Sequence, residues 1–384
     1  MTLIPRIEDK KIRPDDGEAS AKHKVKDIAA LSQWQLIRLR FARHHLAVVS
    51  VCVLIILYFM AAFAEFVAPY PAAWRNTEMI YAPPQLPKFN FSDGLHVREI
   101  ERHVDPVTLK NEFTLTGDVV PLGLFVRGEP YKLMGVIPWD RHLFGAKYPE
   151  EGDIYYMFGA DKFGRDVYSR LIFGARISLS IGIVSIVLTF VLGVLIGGIS
   201  GYLGGAIDNL IQRTIEIINA FPQLPLWLAF AAVMPGDWSP IKTYFAIGIV
   251  LSLLGWTGLA RVVRGKILSL REEDYATAAR LIGCGHGRVI FRHLLPGFTS
   301  HIIVSLSLSV PAMILGETAL SFLGLGLRPP VVSWGVMLQD CMDMNIVANY
   351  PWLLIPVIFI VLTVLAFNFV GDGMRDAADP YSNK

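Results

Sequence analysis

The sequence predicts an all-α polytopic membrane protein with six transmembrane helices and a small mixed extracytoplasmic insertion. Hydrophobic residues make up 53% of the 384 residues and charged residues only 18%, against about a quarter in soluble domains. Several apolar runs reach the roughly 20 residues that are needed to cross a hydrocarbon core. Lys and Arg concentrate in particular segments between these runs, as they do on the cytoplasmic side of a membrane.

Six apolar runs are the predicted spans, and buried core helices do not explain so many runs of this length in one chain. The run at 177–199 contains no charged residue, whereas the third run carries Asp208, Arg213 and Glu216 in its first turns. The predicted spans lie at 46–67, 177–199, 207–234, 241–259, 302–325 and 352–370.

Lys and Arg set the predicted direction of the chain across the membrane. Segments 1–45 and 261–300 are rich in both residues, whereas 235–240 has neither and 326–351 has only Arg328. Six crossings then place both termini and 261–300 in the cytoplasm. The predicted parts are a cytoplasmic tail at 1–45 with a basic interfacial helix at 34–45, a first span at 46–67, an extracytoplasmic segment at 68–174, a transmembrane domain at 175–373 with a loop at 262–297, and a cytoplasmic tail at 374–384.

Composition also limits cofactors and partners. The net charge is only +2 and the basic residues form no single patch, so no nucleic-acid partner is expected. Cys52, Cys284 and Cys341 are far apart and match no CxxC or zinc spacing. We therefore predict no metal site and no other cofactor; the expected environment is the lipid bilayer.

Four glycines near the end of the second span predict close helix packing. Gly193, Gly197, Gly201 and Gly205 recur every fourth residue, which places them on one face of a helix. Without side chains on that face, a neighbouring backbone can approach closely, either within the chain or across a dimer.

Pro222 and Pro225 lie inside the third predicted span, where proline removes helix hydrogen bonds. They either kink the helix or free carbonyls that line a path, since irregular backbone survives in a bilayer only against protein or water. Glu317 is the one deep carboxylate, and it is consistent with a contact to substrate or with a bond to a neighbouring helix.

The source of energy for transport is predicted to lie outside this chain. Transporters that are driven by ions carry acids, bases or histidines at mid-membrane, and the predicted spans are nearly free of them. The sequence also lacks the GxxxxGK[ST] loop that holds nucleotide phosphates. Active transport would therefore require a second polypeptide that hydrolyses ATP.

The segment 262–297 is longer than a connector needs to be. Its part DYATAARLIGCGHGRVIFRHLLPG (274–297) predicts a helix at about 272–282, a break at three glycines and a new helix from about Arg288. Ala276, Ala278 and Ala279 give the first helix a low-relief surface. Such a surface fits a helix that docks into the groove of a soluble partner.

The same segment resembles the cytoplasmic loop of binding-protein-dependent ABC importer permeases, which reads EAA, three residues, G, nine residues, I-x-L-P. The matching residues are Ala278, Ala279, Gly283, Leu295 and Pro296, whereas Thr277 replaces the Glu and His293 replaces the Ile. The resemblance implies a MetI-like permease core in which this loop carries a coupling helix that sits in a groove of the ATPase subunit.

Further stretches are similar to the second permease subunit of the dipeptide/oligopeptide-type systems: FGADKFGRDVYSRLIFGARISLSIG (158–182), GYLGGAIDNLIQR (201–213), SFLGLGLRPPVVSWGVML (321–338) and LAFNFVGDGMRDAADP (365–380). This resemblance implies a bacterial inner-membrane complex. Its partners would be a sister permease that forms a heterodimer, two ATPase subunits and an extracytoplasmic substrate-binding protein. ATP would be hydrolysed on the separate subunits, so the chain itself is not expected to be an enzyme.

The segment 76–157 is longer than the outer segment of such permeases, and its alternating residues at 112–120 and a GEP turn predict short strands with loops. Asp140, Arg141 and His142 lack a recognisable nucleophile nearby, so catalysis there is not expected. We interpret the segment as an insertion that touches the binding protein or the sister permease.

Peptides are the cargo that the resemblance favours, and oligosaccharides such as galactosides are the alternative within the same class. A self-sufficient channel or secondary transporter is the alternative from another class, but the scarcity of ionisable groups in the spans argues against it. A membrane-embedded enzyme ranks last, because the sequence has no HExxH or GxSxG motif.

Overall fold

The computed structural model describes residues 33–91, 94–104, 106, 111–148 and 153–378. Residues 1–32 of the predicted N-terminal tail and 379–384 of the predicted C-terminal tail lie outside the described residues. The described helices are α1 Gln33–Arg43, α2 His45–Ala62, α3 Ala64–Val67, α4 Val167–Leu203, α5 Gly205–Ala220, α6 Gln223–Ala232, α7 Pro240–Leu270, α8 Asp274–Leu281, α9 His286–Arg288, α10 Thr299–Phe322, α11 Trp334–Leu338, α12 Met344–Asn349 and α13 Ile355–Ala378.

The long helices pack around α4, which contacts α2, α7 and α10, while α13 packs on α2 and α10. Within the described residues, five helices are long and apolar enough to cross a membrane, and a sixth crossing is possible if the bent pair α5 and α6 forms one span. The predicted fold class, a mostly helical polytopic membrane protein, is confirmed.

The third predicted span is broken rather than straight: α5 and α6 meet at 85°. Phe221 and Pro222 are both extended at the break, because a proline disfavours helical backbone in the residue before it. Pro225 lies in the first turn of α6, where a backbone N–H has no intrahelical acceptor and its absence costs little. The two prolines therefore have different roles, since only Pro222 stands at the break.

The α5–α6 pair connects the two ends of the bundle. At the start of α5, Asp208 binds Arg264 near the end of α7. Beyond α6, Met234 and Pro235 line a cavity of about 200 Å³ together with Leu327, on the opposite end. A single crossing that consists of α5 and α6 accounts for both contacts.

Several helices extend well past the apolar runs that predicted them. Helix α4 begins at Val167 instead of 177, and α7 continues to Leu270 instead of 259. Hydrophobicity marks only the stretch in contact with hydrocarbon, while Arg, Lys and Glu continue a helix beyond it. The predicted boundary at 174/175 therefore falls inside a helix, and the predicted loop 262–297 begins as the last turns of α7.

The insertion is a four-stranded antiparallel sheet in the order β1 Lys88–Asn90, β2 Gly94–Val104, β3 Asn111–Leu133 and β4 Ile137–Ala146. The prediction of short strands is wrong for β3, which has 23 residues and pairs with both β2 and β4. The predicted GEP turn (128–130) lies inside β3, where the register shifts between Arg127 and Tyr131. Pro130 has no N–H for the ladder, which favours a bulge at this position.

The three polar residues at 140–142 have structural partners. His142 is buried, with Nδ1 2.6 Å from the Ala68 carbonyl oxygen and Nε2 3.2 Å from that of Glu129. Arg141 donates to the carbonyl of Phe125, and Asp140 lies 3.7 Å from Arg127. These contacts hold β4 against β3 and against the segment after α3.

The two ends of the bundle are built differently. At one end the chain before α4 joins the segment after α10, through an ion pair of 2.7 Å between Lys162 and Asp340 and through donation from Trp352 Nε1 to the Ala160 carbonyl at 3.0 Å. The sheet lies at this end. The other end carries α8 and α9, so the sheet and the 261–300 segment lie on opposite ends, as six crossings require.

Candidate functional site

Residues 272–297 form the Ala-rich hairpin, which begins with α8, a helix within the limits that the sequence predicts. The helix ends in a Schellman motif: Gly283 N–H bonds the Arg280 carbonyl, and Cys284 N–H bonds the Ala279 carbonyl, both at 3.0 Å. Gly283 has a φ of +85°, a conformation that a residue with a Cβ rarely adopts. Gly283 therefore fixes the direction in which the chain leaves α8.

The two alanines of the predicted docking motif face different ways. Ala279 is only 4% exposed and Ala276 is fully buried, packed with Val263, Ile267 and their neighbours in the same chain. Ala278, by contrast, is exposed. The expectation that Ala279 belongs to a partner-facing surface is wrong, because its small side chain lets α8 lie close on its own bundle.

Large apolar residues at the end of α8 form the exposed face, which sequence reasoning missed. Leu281 is 83% exposed and Ile282 is 80% exposed, while Tyr275 and Phe291 are about half exposed. With Ala278 these four residues form what we call the hairpin face. The sequence signal was present, since apolar side chains at 275, 278, 281 and 282 follow a helical period on a side of α8 that excludes Ala276 and Ala279.

Leu295 and Pro296 lie in an irregular stretch between α9 and α10. Val289–Leu294 is a π-helical turn and Leu295–Phe298 is a 3-10 turn, in which Pro296 is exposed and Leu295 is half-buried. Proline cannot donate to the preceding turn, and an irregular turn adjusts the hydrogen-bond pattern around it. Leu294, which the motif does not include, is fully buried, as is Val289.

Arginine side chains connect the Ala-rich hairpin to the spans. Arg280 Nη2 donates to the Arg271 carbonyl at 2.7 Å and to the Thr277 hydroxyl at 3.0 Å. Arg271 Nη1 in turn donates to the carbonyls of Gly201 and Tyr202 at the end of α4. Thr277 thus accepts a hydrogen bond from within α8, and two guanidinium groups connect α8 to the end of α4.

A bidentate ion pair joins the start of the broken span to α7. Arg264 Nε and Nη2 each lie 2.6 Å from one oxygen of Asp208. Ser200 on α4 also donates to Asp208 and accepts from Gln212. Three helices therefore meet at one carboxylate, two turns of helix from the Ala-rich hairpin.

We expect this pair to be strongly coupled. In a double-mutant cycle of Asp208→Ala and Arg264→Ala, each single change should lower the free energy of unfolding by about 2 kcal/mol. The double change should lower it little more than either, because the main penalty is a charge left unpaired at a partly buried site. Thermal unfolding of the purified subunit measures the effect. The control is the exposed pair Arg213–Glu216 on the same helix, whose side chains are 77% and 52% exposed and whose coupling should not exceed about 0.5 kcal/mol. Equal coupling in the two cycles would contradict this expectation.

Three of the four predicted packing glycines lie against α7. A Cβ at Gly193 would stand 2.8 Å from Leu259, at Gly197 2.5 Å from the Ala260 carbonyl oxygen, and at Gly201 2.8 Å from that of Arg264. Gly205 is not part of this face: α4 ends at Leu203, and Gly205 has a φ of +59°, with no atom within 4 Å of an added Cβ. The chain turns at Gly204, which the regular spacing of the glycines does not reveal.

We expect Gly197→Ala to destabilise the subunit by about 1–3 kcal/mol, because the new methyl group meets backbone that cannot move aside. The matched control is Gly258→Ala on α7, where no atom lies within 4 Å of the added Cβ and helix propensity favours alanine. Thermal unfolding in detergent compares the two. Equal melting temperatures for both variants would exclude a tight α4–α7 contact.

Glu317 is fully buried and accepts three serine hydroxyls: Ser321 and Ser333 at 2.8 Å and Ser178 at 3.3 Å. Each serine also accepts one backbone N–H of the segment after α10. The donors are Leu327 to Ser321 at 3.0 Å, Trp334 to Ser178 at 3.1 Å and Val336 to Ser333 at 3.2 Å. We call this arrangement the Glu317 relay; it fastens the 326–338 segment to α4 and α10.

Among the described residues, no group of three or more His, Cys, Asp or Glu side chains could hold a metal ion. The bundle carries the Ala-rich hairpin with its exposed apolar face at one end and the segment held by the Glu317 relay at the other.

Comparison with known proteins decides the family. The model of the "binding-protein-dependent transport system inner membrane component" family matches residues 193–383, and that of the "N-terminal TM domain of oligopeptide transport permease C" matches residues 32–84. The dipeptide transport system permease protein DppC of Bacillus subtilis is 38% identical over 279 residues, which cover 71% of this chain and 82% of that protein. The chain belongs to the dipeptide/oligopeptide-type family of binding-protein-dependent transport permeases.

Two further relatives agree with this assignment. The oligopeptide transport system permease protein OppC of B. subtilis is 39% identical over 63% of this permease and 77% of its own length, and OppC of Haemophilus influenzae is 39% identical over 64% and 79%. The permease is thus a multi-pass membrane protein of a transport system, and the predicted family is confirmed. Residues 85–192, which hold all four strands of the sheet, lie between the two matched regions.

Proposed function

We propose that this permease is half of the translocation path of an ATP-driven importer that moves di- and oligopeptides across the bacterial inner membrane. It pairs with a sister permease, two ATPase subunits and an extracytoplasmic substrate-binding protein, and it catalyses no reaction itself. The peptide cargo is inferred from the names of its relatives. Both chain termini and the Ala-rich hairpin lie in the cytoplasm.

The hairpin face is the observation that carries this proposal. Two large aliphatic side chains that are more than three-quarters exposed at the polar end of a membrane protein are typical of a contact surface for another protein. The face belongs to a short helix, which fits a groove on a soluble partner. Arg280 connects α8 to the end of α7, Arg271 connects that end to α4, and Arg264 connects α7 to α5. A displacement of the hairpin by the ATPase would therefore move all three of these helices.

The side of the membrane can be tested with native cysteines. A membrane-impermeant maleimide should label Cys284, in the turn after α8, in inside-out vesicles and not in right-side-out vesicles. Cys341, at the other end of the bundle, should react slowly in either case, because burial raises the pKa of its thiol to about 11 and leaves little thiolate. The matched control is Cys284→Ser, which should lose the signal. Labelling of Cys284 in right-side-out vesicles would overturn the proposed orientation.

The cargo is tested on the assembled complex. Co-purified binding protein should bind labelled di- and oligopeptides, and proteoliposomes that contain the whole complex should accumulate them only with ATP. Binding of galactosides but not of peptides would leave the importer intact and replace the cargo. Flux through this permease alone, without ATP or partners, would instead support a self-sufficient channel or secondary transporter.

A further inference from the structure

The turn between β3 and β4 carries apolar side chains that are exposed, and the rings of Trp139 and Phe125 beside it stay exposed although each contacts Phe66. Met134, Val136 and Ile137 are 56%, 78% and 58% exposed, and Trp139 and Phe125 beside them are 43% and 55% exposed. We call these five residues the hairpin tip. A contiguous exposed apolar patch on a small sheet marks an interaction surface.

The contacts of β4 fix the direction in which the hairpin tip points. Near the end of the strand, His142 Nδ1 lies 2.6 Å from the Ala68 carbonyl oxygen. Nearer its start, the Trp139 ring stacks on Phe66 with centroids 5.7 Å apart. As β4 is followed back toward the turn, its partners therefore approach the first span, so the tip points along α3 toward the membrane.

The level of the tip relative to the bilayer follows from Glu65. Helix α3, which carries Glu65, packs against β3 and β4, and the Glu65 carboxylate binds both terminal nitrogens of Arg176 at 2.7 Å. Arg176 Nε donates to the carbonyl of Ala61, in the last turn of α2. The tip thus lies where the first span leaves the hydrocarbon, and its apolar surface continues into that of α2, where Phe59 is 53% exposed.

The turn itself does not call for apolar residues. Met134 and Gly135 are its central residues, with φ of +50° and +76°, and Val136 N–H bonds the Leu133 carbonyl. Hairpin turns with positive φ at both central positions favour Asn, Asp and Gly, since a Cβ is strained there. Phe125 also has a positive φ, of +55°. Backbone geometry therefore does not account for Met134 or Phe125 at these positions.

We propose that the hairpin tip is seated in the interface of the adjacent lipid leaflet and anchors the sheet to the bilayer beside the first span. Trp139 is the side-chain type that is enriched at this depth. Lys132 and Arg141, both exposed, flank the apolar residues, where they can reach lipid phosphates. Because the anchor is independent of cargo, ATPase and direction of transport, its failure would leave the proposed function untouched.

The test places an environment-sensitive fluorophore on the tip. Val136→Cys is labelled in a background without the three native cysteines, and the whole complex is reconstituted into nanodiscs. Quenching by lipids with a nitroxide high on the acyl chain is compared with quenching by a water-soluble quencher. The matched control is Leu115→Cys, which is 63% exposed on β3 but far from the turn, where it is paired with Ile100 of β2.

The label at 136 should be quenched several-fold more by the lipid nitroxide than the label at 115, and several-fold less by the aqueous quencher. Equal access of water to both labels would overturn the proposal. So would a label at 136 that neither quencher reaches, since that result assigns the tip to a protein neighbour such as the sister permease. Val136 is so exposed that the substitution itself should not disturb folding, and co-purification of the partner subunits verifies this.

Discussion

Replacing Leu281 and Ile282 together by aspartate is expected to abolish ATP-driven uptake while the permease still folds and inserts. Both side chains are at least 80% exposed, so the charges meet water in the free subunit and cost little there. In the complex the same positions would be buried, and losing about 2 kcal/mol of apolar burial at each weakens ATPase binding roughly a thousandfold. Co-purification of the ATPase with the tagged permease measures the loss.

Two neighbouring alanines supply the matched controls. Ala278→Glu adds charge to the exposed side of α8 and should reproduce the loss of ATPase without loss of folded permease. Ala279→Glu adds charge to a site that is 4% exposed and packed on the bundle, so it should instead lower the amount of folded permease. Normal co-purification and normal substrate-stimulated ATP hydrolysis in the 281/282 and 278 variants would remove the hairpin face from the mechanism.

Replacing Glu317 by leucine is expected to cause the largest loss of stability of any single change considered. Three serine hydroxyls would lose their buried acceptor, at about 1–3 kcal/mol each, and the three amides that they hold would lose their orientation. The segment 326–338 should then open, which thermal unfolding and limited proteolysis after Arg328 both detect. If the binding protein docks on this segment, stimulation of ATP hydrolysis by the loaded binding protein should fall more than basal hydrolysis.

Glu317→Gln separates the relay from simple packing. The amide keeps the size of the side chain and one accepting oxygen, so it should retain part of the stability, while Ser178 loses its acceptor. Ser309→Ala is the control on the same helix, because that hydroxyl bonds only the Ser305 carbonyl of its own helix. If Glu317→Leu unfolds at the wild-type temperature and is cleaved after Arg328 at the wild-type rate, the three hydrogen bonds do not hold the segment 326–338.

The membrane spans and the α8 helix could be predicted from local sequence. Apolar runs located five spans, because partition into hydrocarbon depends on the composition of each run alone. The α8 helix and its end at Gly283 were predicted from local helix and turn chemistry. Gly205 shows the limit of such local patterns. It lies four residues after Gly201, as a packing face requires, but the helix has already ended at Leu203. The spacing of glycines alone does not reveal where a helix ends.

The sequence by itself determined the membrane class, the Ala-rich hairpin and the family resemblance, since each depends on neighbours along the chain. For the third span it gave the apolar run and its two prolines, but the 85° break came from the structure. Only the tertiary structure decided which alanine of the hairpin faces outward, which carboxylates unite three helices, and that the β3–β4 turn lies beside α3. The physical reason is that burial and ion pairing join residues far apart in sequence. Glu317 and Ser178, for example, are 139 positions apart yet share one hydrogen bond.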